Sequence, residues 1–176
     1  MKRLATVLAL VALALTACTT KKELKKHNEA DVSFVQAMIP HHEQAIHMVE
    51  LALEHGNSPD VRKLATTIKI KQEEELKTME HLLHEWHMKK EEHGGHGPEH
   101  PGMLSEEKLK ELEETEGVEF DKLFLELMIE HHEGAIHLAE EAEHKGENEE
   151  VEKLAAEIKR GQEHEIEKME MELVGL

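Results

Sequence analysis

The chain contains two copies of one sequence pattern, offset by ninety residues. The pattern Met-Ile-x-His-His-Glu occupies residues 38–43 and recurs at 128–133, and the register continues without a gap to Met79 and Met169. Repetition at a fixed spacing indicates two copies of one supersecondary unit, each able to cover the apolar face of the other. The chain is therefore expected to fold as two similar halves.

Each copy has the sequence pattern of a helical hairpin. Apolar residues recur at steps of three and four from Phe34 to Leu53, which is the period of an amphipathic helix. Gly56 ends this helix, Ser58 offers an N-cap hydroxyl, and Pro59 suits the first position of the next helix. A short turn makes the two helices antiparallel neighbours. The predicted fold class is all-α: a four-helix bundle of two αα-hairpin repeats, with a short extra helix in the connection.

The composition supports helices and argues against several functions. The only aromatic residues are three Phe and one Trp, too few for platforms that stack nucleic-acid bases. The net charge of −18 at pH 7 repels phosphate backbones, so no nucleic-acid partner is expected. Against this background, 16 His and 9 Met are over-represented, and both residue types bind transition metals.

The N-terminus has the pattern of an export signal. A basic start precedes the short apolar run 4–15, and residues 15–18 (Leu-Thr-Ala-Cys) resemble the lipobox of bacterial lipoproteins. Residues 1–17 are therefore predicted to be a lipoprotein signal peptide, Cys18 a lipidated membrane anchor, and residues 18–30 a polar tether. A plain signal peptide with an incidental thiol is the alternative. Either interpretation places the protein outside the cytoplasm, and the first predicts a periplasmic or cell-surface lipoprotein of the cell envelope.

The rest of the chain divides at changes of composition. Residues 31–90 form the first hairpin repeat, 91–104 a linker rich in His, Gly and Pro, 105–117 a short helix, and 118–176 the second repeat.

The repeated residues that could carry chemistry converge on one face of each hairpin. Met38, His41 and His42 lie within one turn of the first helix, because successive helical residues are about 100° apart. Folding the hairpin at Asn57 places the second helix opposite them. The candidate metal ligands are Met38, His41, His42, Met79, Met128, His131, His132 and Met169. The candidates for a hydrogen bond that orients a metal-bound imidazole are Gln72, Glu75, Gln162 and Glu165.

Met and His in one core favour copper as the bound metal. Thioether sulfur is a soft ligand that selects Cu(I), imidazole suits copper generally, and calcium and magnesium prefer oxygen. Cu(I) is therefore the predicted cofactor of the core. A structural interpretation stays open, since Met is a common core filler and a neighbouring Glu or Gln can satisfy a buried His. Two adjacent His in each copy are costly to bury, which favours the metal site.

The remaining histidines are weaker candidates. His47 and His137 are predicted on the polar face, where a solvated side chain is the simpler interpretation. A second group follows the end of the second helix and the linker, and consists of His81, His84, His87, His93, His96 and His100. Such His-rich tracts bind metal ions loosely, so Cu(II) or Zn(II) is expected here.

The motif at residues 38–45 (Met-Ile-Pro-His-His-Glu-Gln-Ala), followed by Gln72, Glu75 and Met79, resembles the bacterial domain-of-unknown-function family 305. The likeness covers both repeats and most of the mature chain. It implies a ferritin-like helical bundle and, for characterised members, extracytoplasmic copper binding and copper tolerance. Glu130 replaces Pro40 in the second copy and the His-rich linker is additional, so the number of metal sites is left open.

Other functions fit the sequence less well. A di-iron metal oxidase needs repeated Glu-x-x-His pairs, and Glu141-x-x-His144 is an isolated match. A zinc-protease helix needs His-Glu-x-x-His, but Ile46 stands where the second His should be. Haem binding, Zn or Ni buffering, and a metal-free lipoprotein that binds a partner stay open. The expected function is copper sequestration or delivery without catalysis, in exchange with a copper-exporting or copper-accepting protein.

Overall fold

The computed structural model describes residues 26–90 and 100–176. The described residues form five helices: α1 (Glu29–His55), α2 (Pro59–Glu85), α3 (Glu106–Glu113), α4 (Gly117–Lys145) and α5 (Glu149–Gly175). The predicted all-α bundle of two hairpins with a short extra helix is confirmed. The predictions for the signal peptide, Cys18, His93 and His96 concern residues outside these ranges.

Local sequence determines where the helices begin. Asn28 caps α1 in a capping box with Asp31, the Ser58 hydroxyl caps α2 ahead of Pro59, and the Asn148 side chain caps α5. These side chains accept hydrogen bonds from backbone N–H groups that the helix itself leaves unpaired. None of the described helices is long and apolar enough to cross a membrane.

Two buried carboxylates join the hairpins. Asp121, at the start of α4, accepts hydrogen bonds from the N–H groups of Asn57 and Ser58 at 3.0 and 2.7 Å. Asp31, at the start of α1, accepts from the N–H groups of Glu147 and Asn148 at 3.1 and 3.3 Å. Each hairpin therefore caps the turn of the other, so α1 and α4 run antiparallel. α1 packs against both α2 and α4, and α4 packs against α5.

The core consists of two apolar clusters, one towards each end of the bundle. One cluster combines Ala45 to Ala52 of α1 with Phe120 to Met128 of α4. The other combines Phe34 to Ile39 of α1 with Ala135 to Ala142 of α4. The adjacent histidines of each repeat fall between these clusters along α1 and α4. The fold therefore places a polar layer at mid-bundle.

Candidate metal centre

Four fully buried histidines form the polar layer. His41 and His42 on α1 and His131 and His132 on α4 each have 0% of their surface exposed. A buried imidazole needs a partner for its nitrogens, because an unpaired polar group in the interior costs about 1–3 kcal/mol. The contacts of the eight ring nitrogens therefore define the chemistry of this layer.

One histidine of each pair contacts a glutamate within its own hairpin. His42 Nε2 lies 3.0 Å from Glu75 Oε2, and His132 Nε2 lies 2.8 Å from Glu165 Oε2. Because an ionised carboxylate only accepts, Nε2–H is the donor in both pairs. Nδ1 of both rings is buried and has no hydrogen-bond partner among residues 26–90 and 100–176. A histidine that ligates a metal commonly donates its other N–H to a carboxylate in this way.

The second histidine of each pair contacts its counterpart in the other hairpin. The rings of His41 and His131 have centroids 3.8 Å apart and planes inclined by 48°. His41 Nε2 lies 3.1 Å from the carbonyl oxygen of Pro101, while neither ring nitrogen of His131 has a hydrogen-bond partner in the part of the chain that the structure describes. Burial, and next the nearby His42, lower the pKa of His41 to about 3. Burial, and next His41, hold the pKa of His131 well below its usual value. Both rings are neutral at pH 7, the form that ligates metals.

The predicted thioether and amide residues also lie in the interior. Met38 and Met79 are fully buried in one apolar cluster, and Met128 and Met169 in the other. Gln72 and Gln162, one turn before the glutamates, are 1% and 2% exposed. Within the described ranges, the amide oxygen of Gln72 and both polar atoms of the Gln162 amide have no hydrogen-bond partner.

The described residues contain no group of three or more His, Cys, Asp or Glu side chains arranged to hold a metal ion. A metal in this layer would therefore be held by fewer than three such groups, or by imidazole together with thioether sulfur. The buried donor set is neutral imidazole nitrogen and methionine sulfur, and it includes buried nitrogens without partners. This set fits a soft metal ion such as Cu(I).

The weaker candidates lie at the surface. His47 and His137 are exposed, and His47 Nε2 lies 3.4 Å from Glu113 Oε1. His81 and His84 near the end of α2 and His87 just after it are exposed, and His100 is partly buried. The structure therefore separates these histidines from the buried layer, except for His100, which precedes Pro101.

Sequence reasoning missed two features of this layer. It placed each site inside one hairpin and did not foresee the contact between His41 and His131, although their repeat-equivalent positions were a signal for it. It also missed the Pro101 carbonyl, which no motif marks.

Met48 is a further fully buried thioether that the repeat does not single out, because Leu138 stands at the equivalent position.

The fold and the buried layer together define an all-α bundle protein with paired imidazole and thioether groups in two repeated hairpins. The family model described as "Domain of unknown function (DUF305)" matches residues 31–173, and the chain belongs to this family. The family resemblance seen in the sequence is thereby confirmed. No curated protein is significantly similar to the chain.

Solved structures of DUF305 proteins share the fold. A DUF305 fragment from Deinococcus radiodurans is 34% identical with a TM-score of 0.78, covering 85% of this chain and 98% of its own. A DUF305 protein from Streptomyces coelicolor is 29% identical with a TM-score of 0.74, covering 80% and 89%. CopM in its Cu(II)-bound form is 33% identical with a TM-score of 0.71, covering 82% and 96%. CopM has also been solved with Cu(I) and with silver.

Proposed function

We propose that this protein is an extracytoplasmic copper-binding protein that sequesters or delivers copper and catalyses no reaction. The main supporting observation is the buried layer. Nε2 of His42 and of His132 is held by a glutamate, and Nδ1 of each ring has no hydrogen-bond partner among the described residues. This arrangement presents a nitrogen lone pair in a fixed direction. Copper-bound structures of the related CopM support the choice of metal.

In this proposal each hairpin holds Cu(I) with its own imidazole and thioether groups. Met38, His42 and Met79 serve the first hairpin, and Met128, His132 and Met169 the second, with Glu75 and Glu165 orienting the imidazoles. Neutral sulfur and nitrogen ligands suit a monovalent soft cation. Because these atoms lie in the interior, bound copper would be shielded from water.

The test is an anaerobic Cu(I) titration against a competing chelator. We compare the wild type with the double variant Met38→Leu plus Met128→Leu, which nearly conserves volume and should keep the fold. Loss of two thioethers should weaken Cu(I) binding at least about tenfold. Met171→Leu makes the same substitution at a side chain that is 66% exposed and should change nothing. Equal Cu(I) affinity in the wild type and both variants would show that the thioethers of Met38 and Met128 do not bind copper.

We further propose a looser Cu(II) or Zn(II) site at the surface histidines that end α2 and enter the linker. His81, His84 and His87 are exposed within seven residues of the chain, shortly before the His-rich linker in the sequence. Replacing these three residues by Gln should remove weak Cu(II) binding and leave the tight Cu(I) sites intact. An unchanged Cu(II) titration would contradict this assignment.

The extracytoplasmic location is supported by the export pattern of the sequence and by the S. coelicolor relative, whose name describes it as secreted. We propose that Cys18 is lipidated and anchors the protein to a membrane, where it exchanges copper with a partner protein. Cys18→Ser should release the protein into the soluble envelope fraction. Unchanged membrane association of this variant would contradict the lipid anchor.

A further inference from the structure

α3 covers one half of the groove between α1 and α4. This half lies towards the end of the bundle where α1 ends and α4 begins, and α3 packs on both helices there. Leu104, Leu109 and Leu112 are at most 9% exposed and belong to the apolar cluster of that end. The interior of this half is therefore closed to solvent.

The other half of the same groove holds a cavity of about 330 Å³. It lies between the first half of α1 and the last turns of α4, and its lining includes Ala30, Ser33, Phe34, Ala37, Leu138 and Ala142. The ion pair of Glu141 and Lys145, 3.1 Å long, is also part of the lining, and both side chains are exposed. The cavity therefore opens to solvent and has a mostly apolar floor.

The repeat explains why this half is open. Three lining residues of the first repeat are smaller than their equivalents in the second: Ala30 stands for Phe120, Ser33 for Leu123 and Ala37 for Leu127. The three larger side chains belong to the apolar cluster of the closed half or pack against it. Burial of apolar surface contributes roughly 25 cal/mol per Å² to stability. The first repeat therefore forgoes packing that the second repeat has, which indicates that the opening has a function.

The inner end of the cavity lies beside the polar layer. Phe34 and Ala37 lie about two turns and one turn before His41 on the same face of α1, because helical residues three or four apart are neighbours. His100 also lines the cavity, and the carbonyl of the next residue, Pro101, accepts a hydrogen bond from His41 Nε2 at 3.1 Å. An ion in this cavity would therefore meet an imidazole next to the residue that holds His41.

A second cavity also approaches the layer, from the side of α2 and α5. It has a volume of about 260 Å³ and is lined in part by Glu75. One oxygen of Glu75 already accepts the hydrogen bond of His42 Nε2, and Lys71 Nζ lies 3.9 Å from the other oxygen. An ion arriving there meets carboxylate and ammonium groups, which suit a soft cation less well than imidazole does. The cavity between α1 and α4 is therefore the better route.

We propose that copper enters and leaves the buried layer through the cavity between α1 and α4, and that His100 transfers the ion between the cavity and the layer. His100 suits this step because imidazole is a copper ligand. α3 closes the equivalent path in the other half, so the two repeats differ in access although both carry candidate ligands. This inference rests on the proposed function, and it concerns the rate of copper exchange rather than the affinity for copper.

The test measures the rates of Cu(I) loading and release by stopped-flow mixing with a chelator under anaerobic conditions. Ser33→Leu plus Ala37→Leu gives the first repeat two of the large side chains of the second and should fill the cavity. Both rates should fall at least about tenfold, while the equilibrium affinity stays unchanged. Thr78→Leu adds similar bulk to the cavity at Glu75 and should leave both rates unaltered. Slower exchange in Thr78→Leu alone, or equal rates in all three proteins, would overturn the proposed route.

Two single variants separate the route from effects on folding. Ser33 is exposed, so Ser33→Leu should keep the fold and slow the exchange in part. His100→Gln leaves the cavity open and should also slow the exchange, because the transferring imidazole is lost. Unchanged rates in both single variants would contradict the route while leaving copper binding intact. A wild type that binds no Cu(I) would overturn the proposed function as well.

Discussion

The four buried histidines differ in what each ring nitrogen contacts. A glutamate contacts His42 and another contacts His132. His41 contacts a backbone carbonyl, and His131 makes no hydrogen bond to any residue that the structure describes. Burial without a charged partner disfavours the protonated ring. The acid sensitivity of the metal-free fold should therefore arise in part from His41 and His131.

We expect the metal-free protein to lose stability as the pH falls below 6.5. The pKa of His41 is lowered to about 3 in the folded state and is 6.5 in the unfolded chain, and the pKa of His131 is lowered in the same direction. The unfolded state therefore binds more protons between these values, so acid favours unfolding. For His41 this contribution to stability is complete above pH 6.5 and declines towards pH 3, by up to about 1.4 kcal/mol per pH unit, and the contribution of His131 declines with acid in the same direction.

Urea unfolding of the metal-free wild type and His131→Gln at pH 7 and pH 5 measures this contribution. The loss of unfolding free energy between the two pH values should be smaller in the variant, because one depressed pKa has been removed. The comparison cancels the effect of the many surface carboxylates, which both proteins share. Equal losses in both proteins would show that His131 titrates normally.

At the scale of the elements, the sequence was sufficient to predict the helices and the layout of each hairpin. Apolar periodicity gives the buried face of a helix, and the turn at Asn57 sets which residues of α2 lie opposite α1. Counting fifteen residues back and fifteen forward from Asn57 pairs His42 with Gln72, and the structure finds the contact of His42 at Glu75, within one helical turn. Such counting works because a short turn leaves little freedom of register.

Residues 100–104, here called the crossing segment, pass over the contact between α1 and α4 and could not be predicted in the same way. It lies outside the repeat and outside the helices, so neither periodicity nor capping patterns indicate its path. Its position depends on two contacts between residues distant in sequence, the hydrogen bonds of Gln44 and the close approach to Gly134. Of these residues only Gly134 is conspicuous in the sequence, because glycine is unfavourable in the interior of a helix.

Two glycines inside helices should respond to substitution in opposite directions. Gly134→Ala should destabilise the protein, because its Cβ would lie 2.2 Å from the Pro101 carbonyl oxygen and displace the crossing segment. Gly161→Ala in α5 meets nothing within 4 Å and should stabilise the helix by up to about 1 kcal/mol. Urea unfolding of both variants measures the difference, and two stabilised variants would show that the crossing segment does not pack on α4.

At the scale of the whole molecule, the arrangement follows from two similar hairpins packed antiparallel. Asp31 and Asp121 each cap the turn of the opposite hairpin, so the halves are joined at both ends. This packing brings the middle of α1 against the middle of α4, where the adjacent histidines lie. A sequence pattern shows which face of a helix is buried but not which residues of another hairpin it meets, so the contact between His41 and His131 required the structure.

Because the candidate ligands come from both helices of each hairpin and from both hairpins, copper should stabilise the entire bundle. A ligand that binds only the folded state adds about 2.7 kcal/mol when its free concentration is one hundred times its dissociation constant. Thermal unfolding of the wild type under anaerobic conditions should therefore shift to higher temperature with Cu(I). The shift should be smaller in Met38→Leu plus Met128→Leu and unchanged in Met171→Leu, which alters an exposed sulfur. A melting temperature that is independent of Cu(I) would favour a metal-free lipoprotein whose acidic helices bind a partner.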